Sequence, residues 1–153
     1  MKLKALVIDD SAVMRKMVMS TLQRAALADF EFIEAGDGED ALAKFKANSP
    51  SIAFCDWNMP NMNGFDFVKL VRADRSLPQI PIIMVTSEKS IGKIDDALNR
   101  AGANEYITKP FTVDDVKRKV GPIVTKIASE PAAVPAAAGD GQKDGFFTKL
   151  LDS

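Results

Sequence analysis

Ile52-Ala53-Phe54-Cys55-Asp56-Trp57-Asn58-Met59-Pro60-Asn61-Met62-Asn63-Gly64 runs from four apolar residues through an acid into a loop of Asn, Pro and Gly. An amphipathic segment comes next, Phe65-Asp66-Phe67-Val68-Lys69-Leu70-Val71. The order reads as a buried strand, a turn and a helix start. Asp56 then stands at the C-terminal end of a strand, where ligands and chemistry gather in open parallel sheets. A carboxylate in that position is costly unless something positive meets it.

The same alternation extends to both sides. Residues 4–8 form a short apolar run that ends in Asp9-Asp10. Ser11 opens an amphipathic segment to about Leu27, with Val13, Met14, Met17, Val18, Thr21 and Leu22 at helical spacing. A second strand is expected at 30–33, broken by Gly36-Asp37-Gly38, and a helix from 39 to about 48 with Ala41, Leu42 and Phe45 inward. The third strand is 52–55, and the third helix covers 65 to about 73. Pro78 and Pro81 flank a fourth strand at 82–85, which ends at Thr86-Ser87. Ile91, Ile94, Ala97, Leu98 and Ala101 mark a fourth helix closed by Gly102. A shorter, mixed fifth strand at 105–108 leads into Lys109-Pro110-Phe111. Thr112 is placed to N-cap a last helix over 114 to about 128. Gly121-Pro122 inside that pattern predicts a kink or partial break.

Five short apolar strands alternating with five helices need parallel pairing and helices on both faces. Right-handed crossovers leave few topologies. The sequence therefore predicts an α/β, flavodoxin-like doubly wound five-stranded parallel sheet of order 2-1-3-4-5 with a C-terminal extension. Residues 1–128 make the domain, 129–145 a Pro/Ala/Gly linker, and 146–153 a short amphipathic segment. Phe146, Phe147, Leu150 and Leu151 share one helical face of that segment, which reads either as a disordered C-terminus or as a docking peptide for a partner or for the domain itself.

Composition narrows the chemistry. The 153 residues carry a net charge of -1, which suggests neither a nucleic-acid nor a membrane surface. With no histidine, Ser-His and Cys-His catalysis, His-ligated zinc and a histidine pH switch are excluded. The single cysteine, Cys55, sits in an apolar strand and reads as a packing residue. There is no apolar stretch of about 18 residues and no signal peptide, so a cytoplasmic protein is expected.

The predicted strand order makes the ends of the first and third strands neighbours, so Asp9, Asp10 and Asp56 converge. Such crowding raises carboxylate pKa values, and a hard divalent cation relieves it. Carboxylates, a backbone carbonyl and waters in an octahedron suit Mg²⁺. Thr86 ends the fourth strand with a hydroxyl, and Lys109 ends the fifth with an ammonium. Three acids, a hydroxyl and a lysine make a site for a dianionic phosphoryl group. One carboxylate attacks while the positive groups neutralise the phosphoryl oxygens.

Asp9-Asp10-Ser11, the run DWNMPNMNG from Asp56, MVTSE from Met84 and AGANEYITKPF from Ala101 resemble, in order and separation, the receiver domain of bacterial two-component response regulators. The stand-alone chemotaxis regulators are the most similar. The resemblance covers residues 1 to about 128. It implies that Asp56 is the phosphoacceptor, and that Asp10, Asp56 and the Asn58 carbonyl bind Mg²⁺ directly, with Asp9 acting mainly through a metal-bound water. It further implies that Lys109 holds the phosphoryl group and Thr86 moves toward it. Tyr106 resembles an aromatic switch whose ring turns inward with that movement. Asn58 and Glu88 resemble the residues that position the hydrolytic water, and Lys109-Pro110 resembles the family's cis peptide.

In functional terms the resemblance implies a monomeric, phosphorylation-switched signalling protein rather than an enzyme acting on a separate substrate. A histidine kinase would be the donor. A downstream target would bind the face made by the fourth helix, fifth strand and fifth helix. Asp95, Asp96, Asn99 and Glu105 fall on or near that face and depart from the chemotaxis pattern. The interval from Thr86 to Lys109 is also one residue longer than expected, with the extra residue placed ahead of the fourth helix. Within signalling the alternative is a phosphorelay shuttle to a histidine phosphotransfer domain. A flavodoxin-like phosphatase of the haloacid dehalogenase type is disfavoured because Asp9-Asp10-Ser11 lacks the D-x-D arrangement. A metal-independent pseudo-receiver is disfavoured because every acid, Thr86 and Lys109 are present.

Overall fold

The apolar runs become five strands, and the segments between them become helices. A computed structural model describes residues 2–129. The expectations for the linker from residue 130 onward and for segment 146–153 lie outside the described residues. In chain order the elements are β1 (Lys2–Ile8), α1 (Ala12–Ala25), β2 (Asp29–Ala35), α2 (Gly38–Asn48), β3 (Ile52–Cys55), α3 (Gly64–Ala73) and β4 (Ile82–Thr86). The chain continues with α4 (Ile91–Asp95), extended by a π-helical turn (Asp96–Ala101), then β5 (Glu105–Thr108) and α5 (Val113–Ser129). The strands form one parallel sheet of order β2-β1-β3-β4-β5, as expected. Among the described residues no helix is long and apolar enough to cross a membrane.

Both faces of the sheet are covered. Leu6, Ile8, Ala53, Cys55 and Met84 pack on one side against Phe67, Val68 and Val71 of α3. Ala5, Val7, Ile52, Phe54, Ile83 and Val85 pack on the other against α1 and α5. Every residue of β3 and β4 is buried, which is why those strands read as continuous apolar runs rather than alternating ones. Caps set the helix starts. Ser11, Asp37, Asn63 and Ser90 each accept a backbone N–H three residues on. Thr112 and Asp115 form a reciprocal capping box at α5, with bonds of 2.9 and 3.0 Å.

Three details differ from the sequence expectation. On α1 the buried residues are Val18, Thr21, Leu22 and Ala25, whereas Val13 and Met17 stay 68% and 50% exposed. The apolar stripe is wider than the contact, and α5 covers only its C-terminal part. The fourth helix turns π-helical from Asp96, with Gly102 N–H donating to the Ala97 carbonyl five residues back at 3.1 Å. A π turn holds one more residue than an α turn. Finally, α5 is continuous from Val113 to Ser129, so the chain does not break at Gly121-Pro122. Pro122 is exposed and so is Arg118, four residues earlier, so the carbonyl that proline leaves without its usual donor lies on the solvent side of the helix.

The missing helix bond at Pro122 predicts a gain on substitution. Pro122→Ala restores that bond without touching the core. It should raise unfolding free energy by about 1–3 kcal/mol, read as a higher urea midpoint at unchanged slope.

Candidate functional site

Two ladder bonds carry the sheet one residue past its strands. Asp9 N–H donates to the Ala35 carbonyl at 3.1 Å, and Asp56 N–H to the Ile8 carbonyl at 2.9 Å. Both acids are thereby fixed on the carboxyl edge, with Asp9 and Asp56 buried and Asp10 exposed. One carboxylate oxygen from each of Asp9, Asp10 and Asp56 lies within 4.8 Å of the others. At that spacing each ionised pair repels by about 3 kcal/mol at an effective dielectric near 20.

Lys109 answers part of this charge. Its Nζ lies 2.8 Å from Asp9 Oδ2 and 3.7 Å from Asp56 Oδ2. Its backbone N–H donates to the Thr86 carbonyl at 2.9 Å, and the Lys109–Pro110 peptide is cis. One ammonium against three carboxylates leaves two negative charges, the deficit a divalent cation fills. The oxygen-only donor set suits a hard cation such as Mg²⁺.

Burial raises the Asp56 pKa, while the Thr86 hydroxyl, the Lys109 charge and the Trp57 N–H pull it back down. The Trp57 N–H donates to Asp56 Oδ1 at 2.8 Å. Gly64 opens α3 directly beneath, where a Cβ would overlap the Asp56 carbonyl. Asp9 Oδ1 accepts the Ser11 N–H at 2.9 Å, and its carbonyl accepts from Arg15 at 2.6 Å.

Thr86 is fully buried and serves as no helix cap; that role belongs to Ser90. Its Oγ1 accepts the Glu88 N–H at 3.3 Å. The Glu88 carboxylate accepts from Asn58 Nδ2 at 2.9 Å, and the Glu88 carbonyl accepts from the Tyr106 hydroxyl at 2.7 Å. Tyr106 is buried with its ring inward, and burial, with the charges of Glu88 and Asp56, pushes its pKa up to about 12. Lys119 of α5 donates to the Tyr106 carbonyl at 2.6 Å. Of the acids expected on the outer face, Asp96 pairs with Arg100, Glu105 with Lys119, and Asp95 accepts from Asn99. Such exposed pairs contribute little stability.

The structure thus brings Asp9, Asp10, Asp56 and Lys109 into one pocket, with Thr86 beside Asp56 and Asn58, Glu88 and Tyr106 linked to Thr86. Sequence reasoning missed two neighbours. Lys93 of α4 sits 4.6 Å over the Trp57 ring, which stacks on Phe65 at 5.4 Å. Asn61 adopts φ 68° and donates to Asp37 at 2.7 Å. An Asn in an Asn/Pro/Gly loop signals the left-handed turn, but nothing in the sequence pairs Lys93 with Trp57.

Residues 5–121 match the family described as "Response regulator receiver domain". Chemotaxis protein CheY1 of Helicobacter pylori strain J99 is 45% identical over 119 residues, covering 77% of this chain and 94% of that protein. The structure of chemotaxis response regulator CheY4 of Vibrio cholerae superposes with a TM-score of 0.67 at 35% identity, covering 80% of this chain and 99% of that one. A CheX-CheY-BeF3-Mg²⁺ complex from Borrelia burgdorferi contains a chain with a TM-score of 0.69 at 26% identity, covering 79% and 88%.

The raised Asp56 pKa has a definite sign. Between the unfolded value and the raised folded value the folded state binds more protons, so this group's contribution to stability falls as pH rises. Without metal, Asp56→Asn should therefore melt higher than wild type at neutral pH. The advantage should shrink as pH drops through the carboxylate range, measured by thermal unfolding across pH.

Proposed function

The chain belongs to the response regulator receiver family, and on that premise we propose that it is a cytoplasmic chemotaxis response regulator switched by phosphorylation of Asp56. One observation carries this most: three carboxylates converge at the strand ends with a lysine among them. Asp10, Asp56 and the Asn58 carbonyl would hold Mg²⁺, with Asp9 reaching it through water. When bound, the cation neutralises charge on the transferring phosphoryl group.

This chain's residues do the rest. An Asp56 oxygen attacks the phosphorus of a kinase phosphohistidine. The N–P bond breaks as the O–P bond forms, and the imidazole leaves with the electron pair. Lys109 exchanges its Asp9 contact for the phosphoryl oxygens, and the Thr86 hydroxyl donates to them. Water held by Asn58 and Glu88 later breaks the acyl phosphate and releases inorganic phosphate. The protein needs no second substrate for that step and turns nothing else over. The inward Tyr106, bonded to the Glu88 carbonyl, is the arrangement this reading assigns to the switched state. A target then binds the α4–β5–α5 face of the monomer.

Trp57 adjoins Asp56 and reports on the pocket. Its fluorescence should change with Mg²⁺, with weak affinity because the cation keeps several waters, and change again with beryllofluoride. An identical beryllofluoride response in Asp56→Asn would refute the phosphoacceptor. Wild-type self-dephosphorylation should take seconds to minutes, and replacing Asn58 and Glu88 together with apolar residues should lengthen it. An unchanged decay rate would remove both residues from the hydrolytic step.

A further inference from the structure

The loop between β3 and α3 carries both Asp56 and Asn58, and its two ends are well fixed. Asp56 is bonded to Ile8, and the Gly64 N–H donates to the Trp57 carbonyl at 2.9 Å. Between them Asn58, Pro60 and Asn61 are exposed, and short exposed loops hold their shape only where something rigid fastens them. The fastening here is the N-terminus of α2.

Asn61, in the left-handed region at φ 68°, directs Nδ2 to Asp37 Oδ2 at 2.7 Å. The other oxygen of the same carboxylate, Asp37 Oδ1, accepts the Asp40 N–H at 2.7 Å and so caps α2. A backbone bond runs alongside, Gly38 N–H to the Met62 carbonyl at 3.1 Å. The approach is so close that a Cβ at Gly38 would fall 2.7 Å from that carbonyl oxygen. Within the loop the Met62 N–H closes a tight turn on the Pro60 carbonyl at 2.7 Å. One carboxylate thus ties the helix start to the loop.

We propose that Asp37 is a positioning residue for the metal site: through Asn61 it fixes the loop path that presents the Asn58 carbonyl beside Asp56, so that Mg²⁺ meets a preformed set of oxygens. Asp37 does not ligate the cation; it removes the loop freedom that binding would otherwise have to freeze out. The inference rests on the proposal that Asp10, Asp56 and the Asn58 carbonyl hold Mg²⁺.

The test is a double-mutant cycle read as Mg²⁺ affinity, by calorimetry and by Trp57 fluorescence. Asp37→Ser keeps an N-capping oxygen but is too short to reach Asn61. Asn61→Gly keeps the left-handed backbone and loses only the side chain. Each should weaken Mg²⁺ binding about tenfold, the lower end for loss of an outer support of a metal ligand. The double variant should be no weaker than either single one. A loss only in Asp37→Ser would mean that its charge acts through space, and would overturn the clamp. Additive losses, or lower stability with unchanged Mg²⁺ affinity in both variants, would overturn it too. A wild-type protein that binds no Mg²⁺ in the calorimeter would instead overturn the metal reading itself.

Discussion

Two uncompensated negative charges at the carboxyl end of the sheet are what the rest of this structure is arranged around. Asp9, Asp10 and Asp56 stand within 4.8 Å, and Lys109 answers one of them. A flexible chain would separate such groups. Here it cannot, because β1 and β3 are neighbours and each strand carries its ladder one residue further, to Asp9 and to Asp56. Buried apolar residues behind both acids hold the strands in place and raise the cost of leaving the charge unmet. Under the proposed function a divalent cation would offset this excess of negative charge, which Lys109 alone only partly answers.

Glu88 links that balance to the surface. Its N–H meets Thr86, its carboxylate meets Asn58, and its carbonyl meets the Tyr106 hydroxyl. Any shift of Thr86 toward or away from Asp56 acts on the same short segment that Tyr106 leans on. From Tyr106 the backbone contact to Lys119 reaches α5. In the proposed switching, discrete hydrogen-bond partners rather than gradual deformation would give such a link two states.

Much of this was legible in the sequence because burial on both sheet faces writes strands as uninterrupted apolar runs, and the turns between them carry Pro, Gly and Asn. The strand order followed from parallel pairing and handedness, and it placed Asp9, Asp10, Asp56, Thr86 and Lys109 together. What stayed hidden depends on three-dimensional packing. Val13 and Met17 keep helical spacing yet lie exposed, since spacing gives a stripe and not its partner. Pro122 sits inside a continuous α5 on its exposed side, and exposure is not written in the pattern. The π turn at Asp96–Ala101 carries apolar spacing that the sequence reads as ordinary helix. Lys93 over Trp57 and Asn61 on Asp37 join segments whose proximity only the fold creates.

The most direct test of the account is the mass of the intact protein after exposure to a small phosphoryl donor. The protein should gain one phosphoryl group with Mg²⁺ present and none after chelation. The group should map to the peptide containing Asp56, and Asp56→Asn should gain nothing under the same conditions. A phosphoryl group on another residue, or uptake that persists without a divalent cation, would contradict the claim that this acidic pocket exists to receive it.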